Sequence, residues 1–416
     1  MPTRDLYVYV HLQGGFVPAG LLRMRVEGSR LVSSSFRYGA HYLERPDALP
    51  LDVRSLPLRD ETFRTDDRFD LFTGIKDSLP DAWGRAVMER RAGRPLREDE
   101  ILLASPDTRV GALAFGLTLN GPARILPWDA DLEAMDRVKL EAAVQAYTDY
   151  ARGDLESFDE AIRRLVLPGS SVGGARPKAT VVVDDALWIA KFSQASDAFD
   201  YPRAEYASMQ LAARCGVRVP SVDHRVFGER SAFLIERFDR LGDQRLHLNS
   251  MLAVLGETEL SFFHSSYMDM ADACLQHVRD HKAARKELFR RMIFNGLISN
   301  DDDHLRNHAL ITSAEDGAFE LSPAYDLVPN PGAGSPLRLS VGCGLDENGR
   351  ASRTFSVEAA LRASSRFGLE TGEARLVVEE VRAGLSEWEE VFLSTGMSRL
   401  DVEVFGRAFV RARAEF

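Results

Sequence analysis

The sequence predicts an α+β protein of more than one domain, with a β-rich, mixed front and a mostly helical rear. Three observations predict it. The chain has 416 residues, and single cores stop growing at roughly 250–300 residues. Apolar residues alternate in short runs over the first 40 positions, the period of half-buried strands. Toward the rear they recur at helical spacing instead, as in Leu288, Phe289, Met292, Ile293, Gly296 and Leu297.

Taken in order, residues 6–12 alternate as a strand, and 72–91 reads as helical, with Pro80 preceding a helix that carries Trp83, Val87 and Met88. A strand-like run over 110–119 stops at the turn signal Asn120-Gly121-Pro122. The stretch ARILPWDADLEAMD then reads as a connector, and 135–168 as helix closing at Pro168-Gly169. A hairpin follows, 179–183 and 186–192 about Asp184-Asp185. Pro202 suits a helix first turn and Gly216 the residue after its C-cap. Residues 217–219 and 231–236 are further expected strands, and long helices are expected beyond Arg240 and over 356–416. The expected domains are 1–125, 126–240 and 241–416.

Composition limits the class. Hydrophobic residues make up 45% and charged residues 28%, values of a globular chain. No apolar run approaches the roughly 20 residues that span a bilayer, and the start MPTRDLYVYVHL lacks the basic and apolar regions of an export signal. Cys215, Cys274 and Cys343 are too scattered for a disulfide framework or a metal cluster, so a reducing cytoplasm is expected. The formal charge of −11 argues against autonomous nucleic-acid binding. The local cluster Arg285, Lys286, Arg290 and Arg291 reads as a solvated helix face.

Five segments carry chemistry. Asn300-Asp301-Asp302-Asp303-His304-Leu305-Arg306-Asn307 follows the apolar helix. Phosphoryl transfer needs a carboxylate at the attacking hydroxyl and oxygen ligands for magnesium, and protein kinases place aspartate five residues before asparagine. Asp302 and Asn307 have that spacing; Asp301 and Asp303 do not. Asp326, in Ser322-Pro323-Ala324-Tyr325-Asp326-Leu327, is a candidate second metal ligand. Alone, three consecutive aspartates more often mark a solvated loop or helix cap. The Gly/Ser stretch from Pro168 to Lys178 could cradle phosphate through backbone amides, although Ala175-Arg176 replaces the Lys-Ser/Thr of a P-loop. Lys191 sits in a mostly apolar strand, where kinases hold the α- and β-phosphates; a lysine snorkelling to solvent is the other reading. Glu205 on the following helix is either its partner or an exposed glutamate. Phe233-Leu234-Ile235-Glu236-Arg237-Phe238-Asp239-Arg240 runs from strand into polar segment, where a two-lobed kinase has its adenine hinge; a strand end with a salt bridge is the alternative.

In this order, SVGGARPK (171–178), WIAKF (188–192), FLIERFDR (233–240), NDDDHLRNH (300–308) and PAYDLVPNP (323–331) resemble the HipA family, kinase toxins of bacterial toxin–antitoxin pairs. LFTGIKDSLPDAWGR (71–85) is similar to that family's N-terminal module. The resemblance implies a two-lobed protein-kinase-like fold and serine/threonine phosphotransfer from ATP with magnesium. It makes Asp302 the catalytic base or positioner, and Asn307 and Asp326 the magnesium ligands. Lys191 would meet the ATP phosphates, the backbone of Glu236 and Phe238 the adenine, and Val172, Gly173, Gly174 and Ala175 would lie over the phosphates. Ser171 falls where family members autophosphorylate, with Ser170 adjacent; roughly −2 of added charge should eject the loop. The implied partner is a small helix-turn-helix HipB-type antitoxin, with DNA reached only through it. Arg176-Pro177 stands where some members have Gln-Glu, and LGDQRLHLNSMLAVLG after Arg240 lacks the acidic run of some relatives. Two other functions fit the same pattern: a small-molecule kinase, and a co-repressor subunit with weak catalysis.

Overall fold

The computed structural model describes residues 3–28, 30–105, 108–122, 167–168, 176, 178–193, 197, 199–227 and 230–409. They fall into two compact units that interleave along the chain. The first is Met1–Ala195 with Glu236–Gly256 and Ile311–Ala318; the second is Ser196–Ile235 with Glu257–Leu310 and Phe319–Phe416. Helix and sheet are mixed in the expected α+β manner. The expected helix over 135–168 lies outside the described residues.

The alternation at the front becomes β1 (Thr3–Leu12), β2 (Gly15–Glu27) and β3 (Arg30–Tyr38), flanked by β4 (Thr62–Arg64) and β5 (Leu113–Gly116) in the order β4-β3-β2-β1-β5. The antiparallel register sets Leu6 opposite Leu22 and Leu22 opposite Phe36, so one face is apolar and packs with Leu71, Phe72, Ile75 and Leu102. The expected helix over 72–91 is split into α1 (Thr73–Lys76) and α2 (Ala82–Ala92), with Pro80 between them. Asp81 caps α2, accepting from the Gly84 N–H at 2.8 Å. The run over 110–119 yields a strand of only four residues, since Leu117 and Leu119 leave the sheet and are exposed.

The expected hairpin is β6 (Lys178–Val183) and β7 (Ala186–Phe192). Asp184 and Asp185 take φ of 49° and 63°, the two left-handed residues of a type I′ turn, which aspartate tolerates. In the second unit α3 (Tyr201–Arg214) is capped by Asp200, carries Pro202 in its first turn and ends at left-handed Gly216. Residues 217–219 are not the expected strand. Pro220 offers no N–H for a ladder, and regular pairing starts only at β8 (Val222–Phe227), opposite β9 (Arg230–Glu236).

Long helices do not follow Arg240 directly. Three short strands, β10 (Arg240–Leu241), β11 (Gln244–Arg245) and β12 (Leu248–Ser250), come first, and then α4 (Met251–Leu255). This segment belongs to the first unit because its polar side chains are satisfied there. Buried Asp239 accepts from Arg237 Nη2 at 2.7 Å, Arg240 Nη1 at 2.8 Å and the Gly111 N–H at 2.8 Å. Burial would raise its pKa, but the Arg237 and Arg240 guanidiniums outweigh burial and hold it well below the carboxylate range. Arg237 also donates to the Thr108 and Arg109 carbonyls. Nearby, buried His247 donates from Nε2 to the Leu51 carbonyl at 2.9 Å.

In the second unit α5 (Tyr267–His277) packs on α6 (His281–Leu297). The chain passes through β13 (Ala309–Thr312), where the division between the units falls, and the second unit resumes with β14 (Phe319–Leu321) and the tail helices α7 (Val357–Arg362), α8 (Thr371–Leu385), α9 (Trp388–Ser394) and α10 (Arg399–Phe405). The apolar stripe of α6 is buried as its spacing requires, and Gly296 admits the Phe355 ring, which a Cβ there would meet at 2.2 Å. The solvated reading of the basic cluster fails at Arg291, which is 0% exposed.

Two predictions follow from the first unit. Asp239→Ala leaves two buried guanidiniums uncompensated and is expected to cost about 3–5 kcal/mol by denaturant unfolding. Burial lowers the pKa of His247 to about 4, so the folded state binds fewer protons than the unfolded one below the ordinary value. Stability should therefore be intact above roughly pH 6.5 and fall toward pH 4, by up to about 1.4 kcal/mol per unit from this group. Melting scans across that window should show a shallower decline for His247→Gln than for the wild type.

Candidate active site

The second unit brings Asp302, Asn307 and Asp326 together on two adjoining loops. The first loop leaves the C-terminus of α6, and residues of that helix hold it. Asn300 Nδ2 donates to Asn295 Oδ1 at 3.0 Å and to the Asp326 carbonyl at 3.4 Å. Asn295 Nδ2 donates to the Tyr267 hydroxyl at 3.0 Å, and that hydroxyl donates to Asp303 Oδ2. His308 Nε2 donates to Asp303 Oδ1 at 3.0 Å. Asn307 Nδ2 reaches back to the Asp302 carbonyl at 3.4 Å.

The second loop leaves β14 and is held by the same helix. Arg291 donates from Nη2 to the Ser322 carbonyl at 2.6 Å and from Nε to Glu287 Oε1 at 2.9 Å. The Ala324 N–H donates to the Arg218 carbonyl at 2.7 Å, and the Tyr325 hydroxyl to the Arg306 carbonyl at 2.7 Å. Asp326 itself has φ of 61°. A non-glycine residue there is strained, and such residues concentrate where surrounding structure imposes a functional geometry.

The three aspartates separate by environment. Asp303 is buried and its carboxylate accepts from Tyr267 and His308. The Asp301 carboxylate accepts from Asn330 Nδ2 at 3.0 and 3.2 Å. Asp302 is exposed at the loop surface. Partial desolvation raises its pKa, and Asp326, Asp301 and Asp303 raise it further, against an opposing effect of His304. A carboxylate open to an incoming hydroxyl, with enhanced proton affinity, has the properties of a general base.

Among the described residues no group of three or more His, Cys, Asp or Glu is arranged as a metal centre. An asparagine amide and a carboxylate nevertheless suit magnesium, which takes few protein ligands and completes its shell with phosphate and water oxygens. Asn307 supplies a test of the fit: its Oδ1 is buried and accepts no hydrogen bond, while its Nδ2 is engaged. A buried acceptor without a donor calls for an explanation, and a hard cation is one. Asn307 Oδ1 with the Asp326 carboxylate therefore fits the group.

The first unit carries the expected nucleotide residues. Lys191 is half-buried on β7, opposite Lys178 on β6. Buried Lys178 pairs with Asp81 Oδ2 at 2.9 Å, and Trp83 Nε1 donates to its carbonyl at 3.0 Å. Glu236 and Phe238 are half-buried and alternate with buried Arg237 and Asp239, and the Arg237 N–H donates to the Leu187 carbonyl at 2.8 Å. Glu205, in the second unit, is buried and not an exposed helix glutamate. Ser170, Ser171, Val172, Gly173, Gly174 and Ala175 lie outside the described residues. Tyr267, Asn295 and Arg291 were not singled out as site residues by the motifs. The signal was present in α6, where Arg291 and Asn295 interrupt an otherwise apolar stripe.

The fold is a mixed α+β one of two units, with Asp302, Asn307 and Asp326 on two loops of the second. Residues 170–388 match the HipA-like C-terminal domain family, and the chain belongs to that family. It is 29% identical over 183 residues to a protein of Haemophilus influenzae named as a candidate kinase, covering 38% of this chain and 52% of that one. It is 25% identical over 248 residues to the serine/threonine-protein kinase toxin HipA of Shewanella oneidensis, covering 52% and 55%. These matches span about half the length of either relative. Its fold follows a chain of the solved Shewanella oneidensis MR-1 complex of HipA, HipB and operator DNA, with TM-score 0.69, 16% identity and coverage of 98% of this chain and 96% of that one.

The different environments of the aspartates predict different costs. Asp303→Asn cannot accept from both Tyr267 and His308 and should lose about 1–3 kcal/mol of stability. Asp302→Asn should stay within about 0.5 kcal/mol of the wild type. Urea unfolding of the two variants beside the wild type checks this.

Proposed function

We propose that this chain is a serine/threonine protein kinase that transfers the ATP γ-phosphate to a protein hydroxyl. The observation that supports it best is the set Asp302, Asn307 and Asp326: an open carboxylate beside an orphaned buried amide oxygen, on two loops fixed by one helix. In this reading Asp302 orients the acceptor hydroxyl and receives its proton on the carboxylate. Asn307 Oδ1 and Asp326 would hold magnesium, which would neutralise charge developing on the phosphate oxygens. Lys191 holds the α- and β-phosphates, the backbone of Glu236 and Phe238 meets the adenine, and Val172, Gly173, Gly174 and Ala175 cover the phosphates. Autophosphorylation at Ser171, or at Ser170, ejects that cover and silences the enzyme. A functional partition into 1–125, 126–240 and 241–416 accompanies this reading.

The family and the relatives' names support a toxin paired with a small helix-turn-helix antitoxin, through which DNA would be reached. Among the described residues no helix is long and apolar enough to cross a membrane, and the three cysteines are free and buried. A cytoplasmic site of action fits both. The second reading is a co-repressor subunit with weak catalysis, favoured by the likeness in fold to a chain solved with HipB and operator DNA.

Intact-mass spectrometry after incubation with ATP and magnesium tests the two readings. The expected result is a gain of one phosphate, mapped to Ser170 or Ser171 and absent from Asp302→Asn. No gain, together with no nucleotide binding, would transfer the case to the co-repressor.

A further inference from the structure

Polar side chains rarely lie on the buried face of a helix unless something satisfies them, because an unpaired buried amide or hydroxyl costs about 1–3 kcal/mol. Tyr267 and Asn295 are each 0% exposed, and Asn300 and Asp303 nearly so. They satisfy one another in a single file. Asp303 accepts from Tyr267, Tyr267 accepts from Asn295, Asn295 accepts from Asn300, and Asn300 donates also to the Asp326 carbonyl. The file begins one residue after Asp302 and ends on the backbone of Asp326. Its middle members, Tyr267 and Asn295, come from α5 and α6, and His308 braces its Asp303 end both by hydrogen bond and by an edge-on ring contact with Tyr267 at 5.3 Å.

We infer that Tyr267 and Asn295 are positioning residues that fix the spacing between the Asp302–Asn307 loop and Asp326, and so the affinity for the divalent ion those loops share. Neither side chain reaches a reacting atom. Each acts through its neighbour: Tyr267 sets the loop at Asp303, and Asn295 sets Asn300, which carries the Asp326 backbone. The hydroxyl of Tyr267 is an obligatory link, since it must donate to one partner and accept from the other. A phenyl ring in its place keeps the packing and cuts the file at its centre. Outer residues that orient metal ligands are worth 10–100-fold in metal affinity in other proteins. The inference rests on the proposed phosphotransfer site, and its test is read independently of turnover.

Manganese titration followed by electron paramagnetic resonance, with a non-hydrolysable ATP analogue present, supplies the readout for the wild type, Tyr267→Phe and Asn295→Val. Both variants should bind manganese about 10–100-fold more weakly, with metal-free analogue affinity within about twofold and with a higher magnesium requirement in any turnover assay. A purely structural role would lower the active fraction and leave the manganese midpoint where it was, which would overturn the inference. Absence of a manganese site in the wild type would overturn it too. A wild type that binds manganese and nucleotide but labels no protein would remove the kinase reading alone, leaving the inference to stand or fall on the variants' midpoints. Should Tyr267→Phe not fold, Asn300→Ser cuts the same file from the loop side and carries the same expectation.

Discussion

Everything proposed for the second unit depends on α6 burying polar side chains in a stripe that is otherwise apolar. Arg291 and Asn295 are four residues apart and so share a face, one turn separated. Each hands its hydrogen-bonding capacity to a different loop: Arg291 to the Ser322 carbonyl ahead of Asp326, Asn295 to Asn300 ahead of Asp302. Breaking such a bond leaves a buried donor or acceptor without its partner, which costs free energy. The loops are therefore held by the cost of leaving the helix unsatisfied, in addition to whatever their own contacts contribute. Packing reinforces this from behind, where Gly296 allows the Phe355 ring against the helix backbone.

The first unit solves a similar problem with charge. Along residues 236–239 side chains alternate between half-buried and buried. The buried members, Arg237 and Asp239, bond to each other and to the backbone of 108–111. A strand end with a salt bridge and an adenine-facing hinge are then not competing readings of this segment. The salt bridge faces one way and fixes the backbone, and Glu236 and Phe238 are left on the other side of the alternation. Here residues 108–111 of the amino-terminal half are bonded to the segment proposed to meet nucleotide.

Local signals were legible wherever chemistry acts within a few residues. The paired aspartates of the hairpin turn, the Asp200 cap with Pro202 and Gly216, and the apolar stripe of α6 could all be read from the sequence and are present. Signals that depend on distant partners were not. Residues 217–219 carry β-branched side chains suited to a strand, but Pro220 and the left-handed Gly216 prevent pairing. The 240–256 segment lacks strand periodicity because its strands are two or three residues long, and Asn249 and Ser250 bond to the distant Leu51 carbonyl and Asp77 carboxylate. Arg291 and Glu205 look like surface charges by type, and only the fold shows them buried. The three aspartates are identical in composition; the five-residue spacing to Asn307 selected Asp302, and the fold gives a separate reason, since the other two carboxylates accept hydrogen bonds from neighbours.

That separation has an electrostatic consequence. Asp301, Asp303 and Asp326 each raise the proton affinity of Asp302, so the carboxylates repel one another across a small volume. Against that repulsion Asp303 is buried with two donors on its carboxylate and Asp301 accepts from Asn330. A cation held by Asn307 and Asp326 would relieve the remaining repulsion and at the same time lower the proton affinity of Asp302. The two effects would oppose each other at the proposed base. A spacing set by a rigid, buried file of hydrogen bonds can hold such a compromise, whereas a spacing set by exposed side chains would drift toward whichever extreme the solvent favoured.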